Sequence, residues 1–126
     1  MNPGSEDRNL AMIAHGLVLL TGVCSFLGGL RYLGWLAAVV SVVLYFMWKT
    51  KSPFVVRHAK QAAGLQVFLF LFTFGLFIVA SAMTVGAAAA GSIGGAFAIL
   101  GLTGLISFAV GVAAIVCAVL GLMNAQ

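Results

Sequence analysis

Carboxylates are almost missing: Glu6 and Asp7 are the only acidic residues among 126. Two adjacent acids near one end cannot flank a substrate, and no Ser-His-Asp or Cys-His set is indicated, so catalysis by nucleophile or by acid and base has no machinery. No enzymatic activity and no cofactor are expected. Cysteine is scarce as well. Cys24 and Cys117 fall in different apolar runs and form no CxxC, which makes them buried apolar-type residues rather than a redox pair, and no disulfide is expected. A metal set of His15, His58, Glu6 and Asp7 would lack any HxxxH or ExxH spacing, so no metal site is expected either.

What the chain does hold is hydrocarbon. Hydrophobic residues make up 63% and charged ones 6%, with a mean hydropathy of +1.22, a composition for one integral membrane domain and not for a water-soluble one. The formal charge of +4 would point to nucleic acid in a soluble protein. Here the cations adjoin apolar runs, where Lys and Arg set orientation and meet anionic headgroups, so no nucleic-acid partner is expected. The opening Met1 to Asn9 has neither a basic n-region nor a small-residue cleavage site, so the first span is expected to stay in the mature protein.

Taken in order, Ser5 reads as an N-cap with Glu6 and Asp7 in the first helical turn, where the helix dipole stabilises acids. The first helix is expected over about residues 6–29, ending at Gly28-Gly29, a tight turn into a second helix over about 31–49. Tyr32 and Trp35 at one end of that span, and Tyr45, Phe46 and Trp48 at the other, mark two headgroup zones. Ser52-Pro53 starts the third helix, over about 53–84, since Ser caps free amides and Pro is tolerated at the first position. Gly64 is a candidate bend. The Gly/Ala-rich run 84–95 is expected to be the distal loop, and the fourth helix to cover about 96–123. Its Gly104, Ser107, Gly111, Ala114, Ala118 and Gly121 follow a three-four spacing that should pack closely on another helix. The expected fold class is all-α: a polytopic four-transmembrane-helix bundle built of two antiparallel hairpins. Loop charges place the 49–61 elbow and both termini in the cytoplasm, with Arg31 alone opposite.

Four of the six basic residues lie in that elbow. Lys49, Lys51, Ser52, Pro53, Phe54, Arg57, His58, Lys60 and Gln61 form a candidate edge for a protein partner or for anionic lipid headgroups, each polar group offering donors to anionic oxygen. The plainer reading is a topogenic positive cluster that anchors the helix at the interface. His15, two turns inside the first helix on the face of Arg8, Met12 and Gly22, is the intramembrane polar residue, together with Gln66. It is either a proton relay or ligand or, the favoured reading, a neutral group hydrogen-bonded to a neighbouring helix, with Gln66 and Thr73 as partners.

The order Asp7-Arg8-Asn9, Ala11-Met12-Ile13-Ala14-His15, Trp48-Lys49 and Ser52-Pro53-Phe54-Val55-Val56-Arg57-His58-Ala59-Lys60-Gln61-Ala62 resembles a prokaryotic family of small four-helix membrane proteins. The family is named for the twenty-kilodalton inner-envelope component of the chloroplast import translocon (Tic-twenty). Magnetosome proteins of the MamF type are similar. The resemblance implies a multi-pass protein of a prokaryotic cytoplasmic membrane with cytoplasmic termini. Two acids leave little to bind iron, which argues against a mineral role. The expected function is that of a non-enzymatic subunit or assembly partner of a membrane complex, with protein translocation as one setting; the alternative is an oligomeric channel or carrier using His15. Lipid, and a protein partner or a second copy, are the expected partners.

Overall fold

A computed structural model describes residues 3–24 and 34–125. Among them the chain is all-α, with α1 at Ser5–Cys24, α2 at Gly34–Trp48, α3 at Pro53–Ala89 and α4 at Ile93–Ala125. The Gly28-Gly29 turn, Arg31 and Tyr32 lie outside the described residues, and so does the join of the first expected hairpin. Ser5 is itself helical, and Arg8 N–H donates to Gly4 O at 3.1 Å, so the cap sits one residue earlier than expected. Glu6 and Asp7 do occupy the first turn.

Ser52 caps α3 as its sequence predicts. Its hydroxyl accepts from Val55 N at 3.4 Å, with Pro53 in the first turn. Ser52→Ala is therefore expected to cost about 0.5–2 kcal/mol, read as a lower midpoint for denaturation in mixed detergent micelles.

The expected distal loop is mostly helix. Alanine is the best helix former and the run contains no proline, so α3 continues to Ala89 and α4 starts at Ile93. Gly91, at φ +75°, makes the break. Its N–H donates to Ala88 O and that of Ser92 to Ala87 O, the paired bonds of a glycine-terminated helix end. Ser92 then accepts from Gly95 N at 3.2 Å and opens α4. α3 passes Gly64 without interruption.

At 1.5 Å per residue, α3 and α4 are about 55 and 50 Å long, more than the ~30 Å hydrocarbon core requires. Both are long and apolar enough to cross a membrane, yet only 11% and 17% of their most apolar windows are buried. A core helix of a soluble protein would be mostly buried; these display Phe68, Leu71, Phe97, Leu105 and Phe108 outward. The described part of α2 is apolar but shorter, over Trp35–Trp48.

The core lies at the end where α1 and α2 meet the long pair, and it is built of small side chains. Ala11, Ala14 and Val18 of α1, Val55, Ala59 and Ala62 of α3, and Ala114 and Ala118 of α4 are buried. With methyl-sized contacts the backbones approach closely, which is how helices associate where lipid removes the hydrophobic drive. Cys24 and Cys117 are both free, and Cys117 is exposed, contrary to the buried position expected for it.

Candidate functional site

The three-four repeat of small or neutral residues at Val55, His58, Ala59, Ala62, Ala63 and Gln66 turns one face of α3 into the core. Arg57, Lys60 and Gln61, offset by a residue or two, fall on the other face and are exposed, as are Lys49, Lys51 and Pro53, while Ser52 and Phe54 are half-buried. The predicted edge thus divides in two. Its cations face outward and its histidine faces in.

Along the outer part, Lys51 Nζ pairs with Glu6 Oε1 at 3.1 Å, tying the start of α1 to the α2–α3 link. Both side chains are well exposed, so this bond positions more than it stabilises. Lys49 Nζ stands 6.0 Å from the Phe46 ring centroid, at the limit of a cation–π contact.

Inside, His58 meets His15. Their Nδ1 and Nε2 atoms are 3.0 Å apart and the rings cross edge to face at 84°. The Phe54 ring lies 4.6 Å from that of His58. Both imidazoles are buried, at 5% and 7% exposure. On the third side stands Gly121, where a Cβ would run into the His15 ring, 2.7 Å from Cγ and closer to Nδ1 and Cε1. Glycine is needed there because the ring occupies the space of a side chain.

About two turns further along α3, Gln66 is 1% exposed and its Nε2 donates to Leu17 O at 3.0 Å and Thr21 Oγ1 at 2.9 Å. Leu17 O can only accept, which fixes the amide orientation. Gln66 does not bond His15, and Thr73 donates to Leu69 O within its own helix, so His15 takes neither partner foreseen for it. Among the described residues no group of three or more His, Cys, Asp or Glu side chains is arranged to hold a metal ion.

The stripe on α4 also divides. Gly111, Ala114 and Ala118 are buried and Gly121 backs His15. At Gly22 of α1 a Cβ would lie 2.8 Å from Ile115 Cγ1 and 3.6 Å from Gly111 O, so this half of the stripe is an α1–α4 contact. Ser107 is half-buried, whereas Gly104 is exposed with nothing within 4 Å of a Cβ.

The His15–His58 pair escaped sequence reasoning although both residues were placed on one side of the membrane. The signal was present in the small-residue spacing of α3, which puts His58 on the same stripe as Ala62 and Gln66. The void lined by Ala14, Leu17, Ser41, Leu44, Trp48, Ala59 and Ala62 has no room for a water molecule.

A family model described as the magnetosome magnetite crystal formation protein family matches residues 6–126. The match is to the magnetosome group noted above as similar, not to the translocon component. No curated protein and no solved structure matches the chain.

Proposed function

The chain belongs to the magnetosome magnetite crystal formation protein family, and from that premise we propose that it is a four-span, non-enzymatic assembly partner of a complex in a magnetosome-type membrane. α3 and α4 supply two spans. The apolar stretches of α1 and α2, with residues 25–33 between them, supply the other two, and the positive-inside rule puts the 49–61 elbow and both termini on the cytoplasmic side.

The observation that carries the reading is the outward row of Lys49, Lys51, Arg57, Lys60 and Gln61, which gathers four of the six basic residues on one exposed edge. Such an edge suits contact with an acidic surface of a partner. Anionic headgroups are the natural lipid partners of the same residues. Glu6 and Asp7 are the only two acids, which is little to hold iron with, so the reading assigns any effect on a mineral to what the protein organises. The translocation setting has only the Tic-twenty likeness behind it and is the weaker form of this proposal. An oligomeric channel has less support still, because His15 is closed off by His58 and Gly121 instead of facing an aqueous path.

A photo-crosslinker at position 61 in native membranes is expected to capture a protein partner. The triple variant Lys49→Glu, Arg57→Glu, Lys60→Glu is expected to lower that yield about tenfold by opposing an acidic surface, while leaving bundle stability nearly unchanged because the residues are exposed. Recovery of lipid or self-adducts alone, under efficient labelling, would sink the proposal.

A further inference from the structure

Two imidazoles from different helices meet inside the bundle with no carboxylate between them. At 3.0 Å one nitrogen carries a proton and the other offers a lone pair. His15 Nδ1 is buried without a partner and abuts Gly121. A buried N–H lacking an acceptor is rarer than a bare buried acceptor, for reasons of desolvation. His15 therefore holds its proton on Nε2 and donates to His58 Nδ1, and His58 is protonated on Nε2. The one lone pair then left for an incoming proton is His15 Nδ1, and it is sealed against α4.

We propose that the His15–His58 pair is a proton-triggered latch, in which the shared hydrogen bond fastens α1 to α3 at neutral pH and proton uptake on His15 requires α1 to part from Gly121 of α4. Among the described residues no carboxylate close by is free to neutralise the added charge. α4 has no charged side chain, and its titratable Cys117 is exposed. α2 carries Tyr45 as its titratable group and no charge over Gly34–Trp48. On α1, Asp7 and Glu6 lie about 12 Å or more along the axis from His15, Glu6 is bound by Lys51, Arg8 is a like charge, and Cys24 is two turns and more away on the other side. On α3 the flanking groups, Arg57 and Lys60, are cations, and Lys49 and Lys51 in the link add to them.

Nδ1 of His15 is open to a proton only once α1 has parted from Gly121, so acid favours opening. Each proton taken up multiplies the opening equilibrium about tenfold per pH unit, up to about a hundredfold for two imidazoles. This goes beyond the docking role proposed above and does not depend on it.

The test uses the full chain in lipid nanodiscs. Nitrogen-15 imidazole spectra at about pH 8 are expected to show His15 with a bare Nδ1 and a hydrogen-bonded Nε2–H. Exchange of α1 amides, corrected for intrinsic chemistry, is expected to rise at least about tenfold per pH unit below the imidazole range. In the double variant His15→Gln, His58→Gln that rise should disappear. A His15 Nδ1–H at about pH 8, a doubly protonated His15 still in contact with Gly121, or an acid-dependent opening that persists in the double variant would each overturn the latch. The first two outcomes are read on the wild-type chain and need no variant to fold.

Discussion

Gly121→Ala is expected to destabilise the bundle by about 1–3 kcal/mol, and Gly121→Leu by more, as read from the denaturation midpoint in mixed micelles. The added Cβ falls into an aromatic ring that His58 holds from the far side, so neither the ring nor α4 can yield without breaking a contact. Two other glycines calibrate the result. At Gly22 the nearest obstacle is Ile115 Cγ1 at 2.8 Å, part of a side chain able to rotate, so Gly22→Ala should cost less than half as much. Gly104 has open space around it, and Gly104→Ala should be neutral or stabilising by about 0.5–1 kcal/mol through helix propensity alone. Equal losses at all three positions would show that the His15 ring is not the obstacle.

Gln66→Ala is expected to cost about 2–4 kcal/mol, combining two interhelical hydrogen bonds with the space left by a side chain that is 1% exposed. Gln66→Met keeps the volume and loses the bonds, and should cost about 1–2 kcal/mol. The difference between the two separates packing from bonding. If Gln66→Met were as stable as the wild type, the bonds to Leu17 O and Thr21 Oγ1 would contribute nothing net, and Gln66 would be a space-filling residue only.

Much of this was legible in the residues. The apolar runs announced helices, and four are found among the described residues where runs were expected. Ser52-Pro53 marked the start of α3 because capping is local chemistry, decided by a hydroxyl three residues from the amide it meets. The Gly/Ala run misled because glycine and small size were read as flexibility, when alanine favours helix and only Gly91 supplies the left-handed turn. On α4 the stripe was visible as a pattern, but which half of it would find a partner was not. Spacing shows that residues share a face and leaves open how far along that face another helix reaches.

The residues alone determined that the protein is helical and lipid-seeking, that four of its six cations gather in one elbow, and that it carries only two carboxylates. These are sums and local patterns along the chain, set by hydropathy, charge and propensity. Only the tertiary structure decided that His58 turns inward to His15 while its neighbours face out, that Gly121 backs that pair, and that Gln66 clasps Leu17 and Thr21. Those choices join positions more than forty residues apart, and they depend on how each helix is rotated and how far it slides past the next, which no one-dimensional pattern specifies.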